Sequence, residues 1–123
     1  EKVLSLTYWS TALRDEANKL VVVEQASSFE PGGRTGSVVI ESTDRDFPSA
    51  IDKLSSLPAR RLATDYAASK GVTDPHLDFN NGAPYAVNAR GGMVLRADRS
   101  LPPNAPERQI VAYRATFRVQ AKS

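Results

Sequence analysis

The chain has no cysteine, which excludes disulfides, thiolate nucleophiles, cysteine-ligated zinc and iron–sulfur clusters, and leaves the cellular compartment open. Histidine occurs once, at His76. A general base needs an orienting partner and a nucleophile within hydrogen-bond reach, and the sequence identifies neither beside this residue. Long apolar runs are also missing. The longest, Leu20 to Val23, falls far short of the ~20 residues a bilayer-spanning helix requires, so no membrane span is expected. Of the two glycine pairs, Gly32-Gly33 and Gly91-Gly92, neither leads from a strand into a helix; both precede strand-like sequence, which excludes a phosphate-binding loop.

What remains is a chain of 123 residues, 41% hydrophobic, long enough to bury a core without covalent or metal staples and of the size of one domain, residues 1–123. It begins at Glu1, which is compatible with a removed signal peptide, a cleaved methionine or a mere segment boundary. The net charge of +2 conceals an uneven distribution. Residues 1–85 hold nine Lys/Arg against twelve Asp/Glu, a net of −3, whereas residues 86–123 hold seven against two, a net of +5. Such asymmetry fits an anionic partner for the C-terminal part, head-to-tail self-association, or simply a solvated basic sheet face.

Residues 3–9 (VLSLTYW) are β-branched and aromatic with loose alternation, which predicts a first strand, and the polar run Arg14 to Asn18 connects it to a second over Lys19 to Glu24. Pro31-Gly32-Gly33 breaks the chain before a third strand, Ser37 to Glu41, whose consecutive apolar residues imply burial on both faces or cover from the helices that follow. Phe47, Ala50, Ile51 and Leu54 fall on one helical stripe, with Asp44 or Asp46 as N-cap and Pro48 in the first turn. Pro58 interrupts this helix and starts another, in which Ala59, Leu62, Ala63, Tyr66 and Ala67 repeat the spacing up to Gly71. Leu77 and Phe79, the turn Asn80-Asn81-Gly82 and the alternation of Tyr85, Val87 and Ala89 predict a hairpin; Met93 to Ala97 resumes an extended pattern, and Leu101 to Pro106 is a proline-rich loop. In the last segment Val111, Tyr113, Ala115, Phe117 and Val119 share one face, and Arg108, Arg114, Thr116, Arg118 and Gln120 the other, with Ile110 and Ala112 between. The whole is therefore read as α+β: an antiparallel sheet of five or six strands in the order β-β-β-α-α-β-β, with two consecutive helices on one face. Ile51, Leu54, Leu62 and Tyr66 are expected to meet the first face of the last strand.

Asp74 and Asp78 flank His76, but one histidine with two acids in a proline-containing loop is poor metal-ligand spacing. Asp44, Asp46 and Asp52 are explained by helix capping and the helix dipole. The expectation is no catalytic residue, no cofactor and no metal. Arg96, Arg114, Thr116 and Arg118 are the candidate contacts to a polyanion or a second subunit, whereas Tyr113 and Phe117, on the opposite face, belong to the core.

From about Ala59 onward the chain resembles the C-terminal part of the SIMPL-domain family of bacterial envelope proteins. The residues that carry this are the helix Ala59-Arg60-Arg61-Leu62-Ala63 closing on Gly71-Val72, the irregular stretch Pro84 to Met93, the loop ending at Pro106-Glu107 and the final alternating strand. The resemblance implies an exported, periplasmic, self-associating protein with no catalytic residues. The succession of two helices and the short length depart from the family pattern. A second resemblance is to coat proteins of single-stranded RNA phages: Thr43-Asp44 through Leu62 looks like their paired helices, and Tyr113 to Val119 like one of their RNA-facing strands. It implies RNA as partner and the virion as location, but only in a circularly permuted order.

Overall fold

The computed structural model describes residues 13–78, 80–94, 102 and 104–122. The predicted strand over 3–9, Phe79, and residues 95–101, with Arg96, lie outside the described residues. The strands and α-helices among the described residues are β1 (Arg14–Asp15), β2 (Leu20–Val22), β3 (Ser28–Phe29), β4 (Thr35–Ser42), α1 (Phe47–Leu54), α2 (Leu57–Ser69), β5 (Pro75–Leu77), β6 (Tyr85–Val87) and β7 (Ala112–Ala121). They form the α+β architecture read from the sequence, with the two helices packed in succession on one antiparallel sheet.

The seven strands make a sheet only five wide. Its spine is the pair β4–β7, antiparallel and in register from Thr35↔Gln120 to Ser42↔Tyr113. β2 and β3 dock one after the other along the outer edge of β4, and β5 and β6 do the same along β7. Each edge is therefore interrupted half-way, and side chains take over the unpaired backbone groups, as buried amides and carbonyls require. On the β4 side the Ser27 hydroxyl accepts from the Val39 N–H at 3.0 Å, while the Val23 N–H donates to the Val39 carbonyl at 2.8 Å. On the β7 side the Asn81 carboxamide donates to the Arg118 carbonyl at 2.7 Å. β5 and β6 thus pair with β7 and not with each other, which corrects the hairpin expected across Asn80-Asn81-Gly82. The connection between β1 and β2 is also shorter than expected, because Arg14 and Asp15 are themselves strand residues facing Val21 and Leu20.

Both helices start and stop where local chemistry dictates. Asp46 is the N-cap of α1, its carboxylate accepting from the Ser49 N–H at 3.2 Å. At the end of α2 the Val72 N–H donates to the Ala67 carbonyl and the Gly71 N–H to that of Ala68, both at 3.1 Å, with Gly71 at φ +101°. This is the Schellman arrangement, completed by burial of Val72.

The core lies between helices and sheet and joins Leu20, Val22, Val38, Ile40, Ala115, Phe117 and Val119 to Leu54, Ala59, Leu62, Ala63, Tyr66 and Ala67. The alternation of β7 is as predicted for Ala115, Phe117 and Val119. Tyr113 is only half-buried, and Val111 is 59% exposed. The reason is that pairing with β4 stops at Tyr113, so Val111 precedes the strand, beyond the end of the paired spine. In α1 the buried residues are Ala50 and Leu54, with Ile51 only half-buried. Val39, facing away from the helices, is nonetheless 5% exposed, so the apolar run 38–40 is covered on both sides as expected.

Candidate interaction face

The face of the sheet turned away from α1 and α2 is set by register. Across the spine it presents Glu41 beside Arg114, Val39 beside Thr116, Ser37 beside Arg118 and Thr35 beside Gln120. Tyr85 adjoins Arg114 from β6, and His76 adjoins Gln120 from β5. Three of the four candidate contact residues, Arg114, Thr116 and Arg118, thus share one face opposite the core, as alternation requires. Arg96 lies outside the described residues.

Their chemistry differs from what the strand pattern suggests. The Arg114 Nε donates to Glu41 Oε1 at 3.0 Å, and both side chains are largely shielded. A guanidinium so paired has most of its charge matched locally, and recruiting it to another anion means giving up this bond. Thr116 is likewise engaged: its hydroxyl meets the Tyr85 hydroxyl at 2.9 Å. Arg118 is exposed and has no acidic partner among the described residues. The sequence offered no sign of either pairing, since Glu41 and Arg114 are 73 residues apart and Tyr85 and Thr116 are 31 apart.

At one end of this face Asn88 organises the chain. Its side-chain oxygen accepts from the N–H groups of Arg90 at 2.9 Å and Gly92 at 3.0 Å, and its amide donates to the Glu107 carbonyl at 3.1 Å. It is 8% exposed and ties the 89–92 turn to the 106–108 turn, beside Val87, which is 1% exposed.

His76 is exposed on the edge strand β5, and no group of three His, Cys, Asp or Glu side chains able to hold a metal occurs among the described residues. The acids at the helix start have structural partners: Asp46 caps α1, and Asp44 accepts from the Asp46 N–H at 3.0 Å and lies 3.9 Å from the Lys19 ammonium. No helix among the described residues is long and apolar enough to cross a membrane.

A surface that strand and helix patterns did not reveal sits where β4 ends, α1 begins and β7 starts. There Phe47, Ile110, Val111 and Tyr113 line a depression of about 340 Å³ together with Glu41 and Asp44. Phe47 is 48% exposed, Ile110 49% and Val111 59%, and the Phe47 and Tyr113 rings pack at 4.8 Å between centroids. Arg45 stands at the same depression, exposed and without an ion pair among the described residues. Periodicity puts Val111 on the inward face of the last strand and Phe47 on the apolar stripe of its helix, and the reason both are exposed is the end of the β4–β7 pairing.

No family model, no curated protein and no solved structure matches the chain.

Proposed function

We propose that this chain is a non-enzymatic interaction protein of the bacterial envelope, periplasmic, that assembles with copies of itself. The observation that carries the reading is the convergence of Phe47, Ile110 and Val111, each about half exposed, on one depression rimmed by both signs of charge. Three such side chains in one place form the kind of apolar centre with polar rim that protein interfaces use. A second copy fits it in charge as well as in polarity. A two-fold contact brings Arg45 of one copy toward Asp44 of the other, and the −3 and +5 parts of the chain are complementary over longer range. The resemblance of residues 59–119 to the SIMPL-domain family supports the envelope location and the absence of catalysis.

The competing reading, an RNA-binding coat-like protein of a virion, draws on the common face of Arg114, Thr116 and Arg118. It stands second because Glu41 and Tyr85 already occupy the first two, which leaves Arg118 as the cation with nothing to surrender.

Light scattering of nuclease-treated protein, at low and high salt and over a dilution series, tests the proposal. An apolar contact persists when the Debye length shrinks from about 10 Å at 0.1 M to about 3 Å at 1 M salt. The expected result is a particle larger than the 13.4 kDa chain at both salt concentrations, dissociating on dilution, and shifted to monomer by Val111→Asp without change in circular dichroism. A monomer at every concentration overturns self-association. Nucleic acid retained before nuclease treatment and released by salt replaces it with the RNA reading, whose affinity falls on a log–log salt plot by about 0.7 per phosphate neutralised.

A further inference from the structure

Between β5 and β6 the chain passes the outer edge of β7 opposite residues 115–118, with which neither of these two strands pairs. Two side chains hold it there. The Asn81 amide donates to the Arg118 carbonyl at 2.7 Å, and the Arg60 guanidinium reaches the carbonyls of Asp78 at 2.6 Å and Asn81 at 3.0 Å. Gly82 follows at φ +90°, and a Cβ at that position would come within 2.2 Å of a Phe117 ring carbon. Residue 82 is therefore bound to be glycine, and residue 81 needs a short side chain that donates a hydrogen bond. These two demands place an Asn-Gly pair at the loop. The other asparagines, Asn18, Asn80, Asn88 and Asn104, precede Lys, Asn, Ala and Ala.

Asparagine before glycine is the most exposed form of a thermolabile residue, because the following backbone nitrogen carries no side chain to shield its approach to the carboxamide carbon. We propose that Asn81 is a spontaneous deamidation site, and that its reaction irreversibly unlatches the loop from β7. The Gly82 backbone nitrogen, losing its proton, forms a bond to the Asn81 Cγ. The Cγ–Nδ2 bond breaks and the nitrogen leaves as ammonia. Water then opens the resulting cyclic imide at one of its two carbonyls, giving aspartate or isoaspartate, with no redox change. Either product presents a carboxylate, an acceptor only, to the Arg118 carbonyl, itself an acceptor. In the closed loop the carboxamide is held on Arg118, and the Asn81 N–H donates to the Asp78 carbonyl at 3.3 Å, so the backbone rotation that the attack requires is opposed. The reaction belongs to the open loop, and its product cannot restore the closed one.

Ageing the purified protein in mildly alkaline buffer, natively and in urea, followed by tryptic mapping, tests this. The peptide Gly71 to Arg90 contains Asn80, Asn81 and Asn88, and its fragmentation separates the three. The expected result is replacement of the amide by a carboxyl at residue 81 before 80 or 88, as a mixture of aspartate and isoaspartate, faster in urea than in the native protein. Asn81→Asp should melt lower than the native chain by about 4 °C or more, and lower than Asn81→Ala, which lacks the repelling carboxylate. Asn81→Ser, which keeps a short donor, should fold and abolish the change at residue 81. Modification of Asn80 or Asn88 ahead of Asn81, equal rates in urea and in native buffer, or an unaltered melting temperature for Asn81→Asp overturns the proposal. Should Asn81→Asp fail to fold, the melting temperature of aged wild type, resolved by ion exchange from its unmodified form, decides the same question.

Discussion

Truncating Phe117 to alanine removes the largest of the fully buried side chains. Phe117 lies opposite Val38 in the spine of the sheet, 1% exposed, within the core that joins both helices to β4 and β7, and the Gly82 backbone rests against its ring. Phe→Ala at a buried site costs about 3–5 kcal/mol, from lost transfer free energy plus the cavity left behind. The packing here favours the upper part of that range. The sheet spine below and the helices above are rigid elements, and Gly82 has no side chain to move into the space. With an unfolding entropy of about 2.1 cal/mol/K per residue, a chain of this length loses roughly 4 °C of Tm per kcal/mol, so the expected drop is about 12–19 °C. Urea unfolding should give a lowered midpoint at unchanged slope, because the surface exposed on unfolding is nearly the same. The comparison is Thr116→Ala, one residue along and on the opposite face. A free surface threonine would lose no more than about 0.5 kcal/mol, but the bond to the Tyr85 hydroxyl raises the expected cost to about 1 kcal/mol. Equal melting temperatures for the two variants would refute the assignment of faces in β7.

Tyr66 carries a second expectation. Burial at 3% exposure, reinforced by the Glu24 carboxylate to which its hydroxyl donates at 3.2 Å, pushes its phenol up to about 12 from an ordinary 10. The folded chain holds this proton more tightly than the unfolded one, so the stability it contributes is complete below pH 10 and lost as pH rises to about 12. Stability measured over that window should fall steeply in the wild type and less in Tyr66→Phe. Asn88→Ala leaves two backbone N–H groups and the Glu107 carbonyl without their partner and should cost about 1–3 kcal/mol by chemical denaturation, with faster proteolysis across 89–108. Gly82→Ala combines a positive φ with a clash against the Phe117 ring and should lower stability by about 3 kcal/mol or more, whereas Gly32→Ala, open on all sides at φ +98°, should pay only the backbone strain of about 1–2 kcal/mol.

The two measurements on Phe117 and Thr116 probe a part of the fold that local sequence determines on its own. A strand of period two, a helix of period 3.6, a cap at Asp46 and a stop at Gly71 are short-range matters, decided by dihedral preferences and by which residues shun water. From them the α+β class, the succession of two helices and the inward face of β7 follow without reference to the rest of the chain. The three candidate residues Arg114, Thr116 and Arg118 share a face for the same reason.

What those residues can do was decided elsewhere. Glu41 meets Arg114, and Tyr85 meets Thr116, only because β4 and β6 flank β7 in a particular register, and register is a property of the assembled sheet. The exposure of Val111 and Phe47 has the same origin. Each carries the right period for burial, but the spine ends at Ser42 and Tyr113, and an apolar face is covered only where a partner extends over it. The fate of Asn80-Asn81-Gly82 is similar. Its turn chemistry is local, but whether β5 and β6 pair with each other or lie end to end along β7 depends on which pairing buries Phe117 and satisfies the Arg118 carbonyl. Periodicity thus settled which way side chains point, and long-range pairing settled which of them are neutralised, covered or left for a partner, because those outcomes depend on residues tens of positions away that meet only once the sheet has closed.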